Sequence, residues 1–588
     1  MGASAPPSHY AGRVIVPHLR LRHRRLAGLV LALLATVAPT AAAQSPGADR
    51  VRVPFPAYDG TLTPYTFALG YPLVTLVYDT LLWRDAGGVP RPWLARSVTR
   101  SDSGRRLTVR LRDGVRWHDG RALTAADVAF TFRYVASRYQ PRFTPQLENV
   151  ERVRATGRLT VVIELRRRSL GFDDQPLADL PILPRHRWQG LAPGRSAPAG
   201  RAVGSGPYRL TGAGRSQGYV FSANRGYFRG TPLVREIRVP IIGDADATYD
   251  ALRERRVDML PLNLAEPTAG ELGRTLGINL ARGDSYVGTM LVLNVRRAPF
   301  DQVAARQAVD AALDLGRITR RVTPAIAADE GFIHPSSRWA THDRLEGPPP
   351  GTSRAGRVLG TRLIRVLAPA NDPVRLEAGE QVVLALRQAG ARATLVMRSR
   401  AQLERATGAS GERPDFDAAI ASIPALTSHD PNGLTRLFGS DPRNAPLNAS
   451  GYRSDAFDEL ARSVASAQDE ESRGTATGKM IDRLAQDVPA IPLFFSRGNF
   501  AYRTAVYDGW TYIQGTGILD KRSFLAGATD RSSTVDEATE EDLAPSASDP
   551  DSDSGLFSVV NVISFLIVVT VVALALLALR QRRRDQQR

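Results

Sequence analysis

Apolar and polar residues alternate in two short stretches of the chain. Leu107, Val109 and Leu111 alternate with Thr108, Arg110 and Arg112, and Leu159, Val161, Ile163 and Leu165 repeat the pattern. A period of two predicts half-buried strands. Between them the period changes: Thr124 stands where a helix N-cap belongs, Asp127 follows three residues on, and Val128, Phe132 and Val135 recur at helical spacing. A hydroxyl at the cap and an acid in the first turn both favour a helix start there. Helical patterns return over residues 304–313, 376–388, 455–467 and 474–486. Strands and helices mixed in this way, without a short repeat, predict an α/β body.

Two uninterrupted apolar runs stand apart from this amphipathic pattern. The first, residues 26–37, follows Arg13, Arg20, Arg22, Arg24 and Arg25 and precedes Ala41-Ala42-Ala43. Basic, apolar and small-residue segments in that order predict a cleavable export signal over residues 1–43, with the mature chain beginning near Gln44. Arg24-Arg25 is compatible with the twin-arginine route as well as the general one. The second run, residues 556–579, carries no charge and is followed at once by Arg580, Arg582, Arg583 and Arg584. It is long enough to span a bilayer, and the arginines predict that residues 580–588 stay in the cytoplasm while the preceding domain lies outside. Between body and span, residues 531–555 are acidic and contain Ser and Pro without apolar periodicity, which predicts a disordered stalk. A second linker candidate is the stretch GPPPGTSRAG at 347–356.

Composition narrows the classes of function. There is no cysteine, so thiol chemistry, disulfides and a lipidated N-terminal cysteine are all excluded, and the C-terminal span is the expected tether. The formal charge is +18, and Lys479 and Lys521 are the only lysines among 77 basic residues. A body this basic fits anionic ligands or surfaces, or a solvated face in an arginine-biased chain. No basic run is interleaved with aromatics, and export also argues against a nucleic-acid partner.

Motifs that look chemical at first sight read as turns. In Trp117-His118-Asp119-Gly120 the Asp-Gly pair marks a tight turn after a strand. Gly204-Ser205-Gly206-Pro207 lacks the lysine and following helix of a phosphate loop. The G-x-S-x-G string at 214–218 lies between two strand patterns, whereas a nucleophile elbow joins a strand to a helix. The 8 histidines show neither H-x-x-x-H nor H-E-x-x-H spacing, so no metal site and no cofactor is expected. Asp173-Asp174 sits in a loop and reads as a solvated pair.

Several longer blocks carry a resemblance. Residues 76–83 (LVYDTLLW), 92–95 (PWLA) and 107–132 (LTVRLRDGVRWHDGRALTAADVAFTF) are followed by 204–210 (GSGPYRL), 224–232 (NRGYFRGTP) and 293–314 (LNVRRAPFDQVAARQAVDAALD). The blocks at 452–460 (YRSDAFDEL) and 487–493 (DVPAIPL) complete the order. Over about residues 58–510 the chain resembles the extracellular solute-binding proteins of family 5, the oligopeptide-, dipeptide- and nickel-binding receptors of ABC importers. The resemblance implies a two-lobed, periplasmic-binding-protein-like clamp with a hinge. Lobe I would take residues 50–290 with 488–530, and lobe II residues 291–487. It also implies that ligand binds in the cleft and that closure is a hinge motion.

In peptide-binding members an aspartate just before an Asp-Pro pair of the second lobe meets the ligand's ammonium group, beside a tryptophan. Here Asp430-Pro431 occupies the Asp-Pro position, so the ammonium position falls on Thr427 and the tryptophan position on Pro424. A hydroxyl cannot make the charge-assisted bond of a carboxylate, worth about 1.5–3 kcal/mol. The ligand-binding candidates implied by the resemblance are Tyr65, Tyr71, Tyr286, Asn294, Thr427, His429 and Asp430.

The expected function is that of a non-catalytic receptor, anchored by residues 556–579 on the extracytoplasmic side, which hands a small solute to ABC permease and ATPase subunits. Peptide or peptide-like ligands come first. An orphan surface sensor or adaptor on the same fold, and a tethered extracellular hydrolase, are the competing readings. The tail after the span is short for a signalling domain, and the nucleophile–base pair or metal that a hydrolase needs is missing.

Overall fold

A computed structural model describes residues 47–526, apart from 61, 66–69, 139, 141, 193–199, 201, 262–263, 265, 323–324, 342–354, 371, 410, 445–446 and 516. The chain divides into two units, Met1–Ser532 and Ser533–Arg588, and every described residue belongs to the first. The export signal, the stalk at 531–555, the span at 556–579, the basic tail and most of the 347–356 linker lie outside the described residues. Among the described residues no helix is long and apolar enough to cross a membrane.

The early alternating stretches form one antiparallel sheet in the order Ala95–Arg100, Arg106–Leu111, Thr160–Leu165, Val150–Ala155. Leu107, Val109, Leu111, Val161, Ile163 and Leu165 all point into one core, which the helix Ala125–Ala136 covers with Val128, Phe132 and Val135. The Asp127 carboxylate accepts the backbone N–H of Thr124 at 2.9 Å and that of Arg185 at 3.0 Å. One acid thus caps its own helix and fixes the start of the next short one. A second sheet, Ala48–Arg52, Val234–Val239, Gly218–Ala223, Tyr208–Gly214, packs its own aromatic-rich core beside the first.

The predicted later helices are present as Val303–Asp310, Pro373–Gln388, Asp455–Ser466 and Glu470–Asp487. They flank a six-stranded sheet in the order Ala325–Ala327, Ala490–Arg503, Ile278–Leu293, Ala418–Ile423, Leu363–Pro369, Arg392–Arg398. Both faces of this sheet are buried. Leu291 and Leu293 enter one core, while Met290 and Val292 enter the other, as alternation along a strand requires.

Two strands that the alternation pattern does not reveal tie the sheets together. Ile278–Leu293 and Ala490–Arg503 run antiparallel, and their register breaks between Asp284 and Gly288. On one side of the break, Phe500 and Tyr502 pack with the aromatic core of the second sheet, and Ile278 and Ala501 with a neighbouring small core. On the other side, Leu291 and Leu493 belong to the six-stranded sheet. The result is a two-lobed α/β clamp, with the paired strands passing from one lobe to the other.

Candidate functional site

The seam between the lobes is closed by one turn of the first lobe, residues 170–175, which enters the short kinked segment Asp173–Leu177 with Gln175 extended inside it. Asp174 carries the contact. Its side chain is 2% exposed and its Oδ1 lies 3.3 Å from His429 Nε2, while Arg338 donates to its Oδ2 at 3.2 Å. From the first-lobe side Arg84 donates to the Asp174 carbonyl at 3.0 Å. Burial by itself pushes the Asp174 carboxyl up, but the bond from His429 and the charges of Arg84, His429 and Arg338 outweigh it and hold the group below its usual value. Asp173 is paired with Arg100 at 2.5 Å, and burial pushes its carboxyl up. The solvated reading of this acidic pair is therefore overturned for Asp174, which the turn folds inward onto charges from both lobes, while the Asp173 side chain stays 39% exposed.

Around Asp174 the crossing strand and the second lobe present a short chain of polar groups. Tyr286 stands at the register break, where the long strand leaves one lobe for the other. Its ring stacks on His429 at 5.1 Å and meets His334 edge-on at 4.8 Å. His334 is fully buried, and burial lowers it to about 4, so the ring is neutral at pH 7. His334 Nδ1 accepts the Ser336 N–H at 3.1 Å. His429 ends the short helix Ala425–His429, and the next residue, Asp430, turns back into the lobe. Asp430 Oδ1 accepts from Arg473 at 2.8 Å and from the Asn432 N–H at 2.8 Å. The Arg473 guanidinium lies 4.0 Å from the centre of the Trp339 ring.

What distinguishes this cluster is how much of it is unpartnered. His334 Nε2, His429 Nδ1, Asp430 Oδ2, Arg473 Nη1 and Trp339 Nε1 are all buried without a hydrogen-bond partner among the described residues. Each such group costs about 1–3 kcal/mol unless something satisfies it. Gly171 explains how the lobes meet here: a Cβ at that position would stand 2.6 Å from Asp430 Oδ2. Only a glycine lets the first-lobe turn close over the Asp430–Arg473 pair. A second tie, Arg436 Nη2 to Gln175 Oε1 at 3.1 Å, runs beside it.

The seven candidates separate in space. Tyr286, His429 and Asp430 meet in the cluster. Tyr71 stands one layer behind: its hydroxyl donates to the Asp179 carbonyl at 2.5 Å and its ring lies under Arg142, which binds the Asp179 carboxylate at 2.6 Å. Gln146 continues that layer to Gln175 at 3.0 Å. Tyr65 packs with Tyr134 and Trp188 in the first lobe. Thr427 is buried against Gly433 of the following helix. Asn294 is eight positions past Tyr286, roughly 25 Å along the strand direction, and its amide donates to the Phe416 carbonyl at 2.9 Å.

Arg84, Arg338, His334, Trp339 and Arg473 were not singled out by the sequence, and Asp174 was read there as solvated. The only local signal was Gly171 shortly before two acids and a proline. The turn motifs behave as read: Gly120 has φ +88, and His118 Nε2 lies 3.0 Å from the Gly206 carbonyl, so the two motifs clamp each other. Burial lowers His118 to about 4. Gly214 and Gly218 end and begin adjacent strands. Among the described residues no group of three or more His, Cys, Asp or Glu is arranged to hold a metal ion.

Residues 89–445 match the family described as bacterial extracellular solute-binding proteins, family 5. Protein XP55 of Streptomyces lividans is 27% identical over 429 residues, which cover 70% of this chain and 77% of that protein. The nickel-binding periplasmic protein of Escherichia coli is 27% identical over 300 residues, 48% of this chain and 55% of that one. Among solved structures, the oligopeptide-binding protein AppA from Bacillus subtilis in complex with a nonapeptide superposes with a TM-score of 0.69 at 20% identity, covering 78% of this chain and 95% of that one. NikZ from Campylobacter jejuni in complex with Ni(L-His) gives 0.67 at 18% identity, covering 78% and 94%.

Proposed function

The chain belongs to the bacterial extracellular solute-binding proteins of family 5, and from that membership we propose that it is a membrane-anchored receptor that delivers a peptide or peptide-like solute to an ABC importer. The coarse function, solute binding for import rather than catalysis, comes with the family. The finer parts rest on particular residues.

In this reading lobe I comprises residues 50–290 with 488–530 and lobe II residues 291–487, and the hinge is the strand pair that crosses at the register break of 284–288. Solute enters between the turn at 170–175 and the groups of Tyr286, His429 and Asp430. Closing the lobes over it adds the Asp174 contacts, so a ligand that bridges both lobes shifts the equilibrium toward the closed form. Tyr71 stiffens the layer behind, and Tyr65, Asn294 and Thr427 shape the walls from further away.

The observation that carries the peptide reading is the mixed set of unpartnered groups. Arg473 Nη1 and Trp339 Nε1 are donors, Asp430 Oδ2 is an acceptor, and the two histidines serve either way. A backbone that alternates N–H and C=O can satisfy such a set; a purely cationic or purely anionic solute cannot. The carboxylate that the resemblance places at the ammonium position is replaced by Thr427, and the acid of the cluster is Asp430, three positions on. A second reading, a metal–amino-acid complex, is favoured by the two imidazoles on either side of Tyr286, His429 stacked on its ring and His334, neutral at pH 7, edge-on to it.

A thermal-shift screen of the full chain in detergent against tri- and tetrapeptides, nickel–histidine complexes, sugars and organic anions decides between them, because ligand binding raises the melting temperature by mass action. Peptides are expected to stabilise the chain. Stabilisation by nickel–histidine alone would move the assignment to the second reading, and stabilisation by sugars alone would discard both. For anchoring, support comes from the uncharged run at 556–579 and the arginines after it. A chain ending at Ser532 is expected to be released from cells, and its retention at the membrane would contradict the tether.

A further inference from the structure

A second concave surface lies on lobe II, built from segments other than those of the seam. It is formed by the edge strand Arg392–Arg398, its neighbour Leu363–Pro369 and the helix Arg400–Thr407, which Ser399 and Gln402 cap. The cavity has a volume of about 570 Å³, with Leu367, Val396 and Ala406 among its apolar lining. Around it stand Arg365, Arg398, Arg405 and Arg413, the amide of Gln402, and one carboxylate, Asp415.

The charge is lopsided. Asp415 is already bound by Arg365 at 2.9 Å and Arg297 at 3.2 Å, and its neighbour Asp417 is shared by Arg362 and Arg365. Of the nearby glutamates, Glu404 is taken by Arg400 at 2.8 Å, and Glu412 is not part of the lining. Arg398 donates only to the carbonyl of Met397, and neither Arg405 nor Arg413 forms an ion pair among the described residues. Elsewhere on the surface, arginines such as Arg50, Arg235 and Arg253 each stand beside their own acid. Three guanidinium groups without a counter-ion, converging on one concavity, leave a strong local positive potential that a neighbouring carboxylate does not cancel.

We propose that this concavity is a binding site for a small oligoanion carrying two or more phosphate-type groups. Planar guanidinium forks match tetrahedral oxyanions in pairs of parallel hydrogen bonds, which suits arginine better than lysine for this task. The volume lies within the range of a small-molecule site. Arg398, Arg405 and Arg413 bind the anion, Gln402 supplies a neutral donor, and Arg365 stays engaged with Asp415 and Asp417 and fixes the floor. The site is built from other residues than the seam and takes a different class of ligand.

The test is a calorimetric titration of the full chain in detergent with inorganic tripolyphosphate, and in parallel with orthophosphate, at about 150 mM salt, where long-range surface attraction is screened. Tripolyphosphate is expected to bind with one-to-one stoichiometry and more tightly than orthophosphate. Each of Arg398→Gln, Arg405→Gln and Arg413→Gln is expected to weaken it on the order of tenfold. The matched triple change Arg50→Gln, Arg235→Gln and Arg253→Gln removes the same charge from lobe I and is expected to leave the affinity unchanged. Equal weakening by that control would reduce the effect to general charge and overturn the proposal. Binding of phosphatidylglycerol vesicles, but not tripolyphosphate, through the same three arginines would overturn it as well, since the partner would then be a membrane surface.

Discussion

Two buried ion pairs in this molecule have opposite surroundings. In the first lobe, Asp79 and Lys521 are both wholly buried and 2.8 Å apart. Asp79 also accepts from Trp93 at 2.9 Å, Tyr227 at 3.0 Å and Ser205 at 3.0 Å, while the Lys521 ammonium sits 4.1 Å from the Trp83 ring centre and 4.9 Å from that of Trp93. At the seam, Asp430 and Arg473 are almost as deeply buried, yet Asp430 Oδ2 and Arg473 Nη1 have no partner among the described residues. A fully satisfied network stabilises one arrangement, whereas a half-satisfied one is stable only with something added. The first pair fastens the segment at 520–525 onto lobe I. The second waits at the place where the lobes meet.

Removing one charge from each pair sharpens the contrast, and the largest effect belongs to the closed network. Lys521→Met leaves Asp79 without its counter-ion in a sealed aromatic box, and stability to denaturant is expected to fall by about 3–5 kcal/mol. Lys521→Arg is also expected to destabilise, because the box fits a compact ammonium and not a planar fork. A loss below about 1 kcal/mol in the methionine variant would show that Asp79 finds water after all.

Arg473→Met is expected to cost less, on the order of 1–3 kcal/mol, because Asp430 keeps the Asn432 N–H and regains water when the lobes part. Its effect on ligand affinity should exceed its effect on the unfolding midpoint. If the two pairs respond alike to denaturant, the distinction between them is wrong.

Asp174→Asn removes the charge that His429 and Arg338 share and is expected to shift the clamp toward the open form by about 1–2 kcal/mol, visible as a larger radius of gyration in solution scattering. The pH dependence has a definite sign. The Asp174 carboxyl is held below its usual value in the closed form, so its contribution is complete above the ordinary carboxylate pKa and is lost as pH falls below about 4. His334 works at a higher window: burial lowers it to about 4, so the folded state resists a proton that the unfolded chain accepts near 6.5. Stability is expected to fall as pH drops from about 6.5 to 4, and His334→Gln should flatten that part of the profile.

The smallest expected change is Gly171→Ala. It leaves the fold intact, since the site lies on a turn between lobes, but the added methyl meets Asp430 Oδ2. Scattering should report a more open average and unfolding a nearly unchanged midpoint.

How much of this was legible beforehand depends on the range of the interaction. The sheet around Leu107 and Val161 and the helix started by Thr124 and Asp127 follow from neighbours within a few residues, and their edges came within one or two positions of the observed ones. The long strand Ile278–Leu293 was hidden because its middle, Ala281 to Tyr286, carries Arg282, Asp284 and Ser285 where it crosses between lobes. Tyr286, His429 and Asp430 were reached only through the resemblance. Asp174 was misread because its partners, Arg84, Arg338 and His429, are distant in sequence. Nothing local in an Asp-Asp pair shows that a turn will press it into an interface.

The claim that most needs testing is that a peptide closes the lobes over Asp430 and Arg473. The chain contains no cysteine, so Arg96→Cys on the first lobe and Ser463→Cys on the second can carry a pair of spin labels without background. Titration with a tetrapeptide is expected to shorten and sharpen the distance between them at one equivalent, and Asp430→Ala with Arg473→Ala is expected to abolish the change. A distance that ignores every peptide, or a shortening that survives the double substitution, would contradict the account.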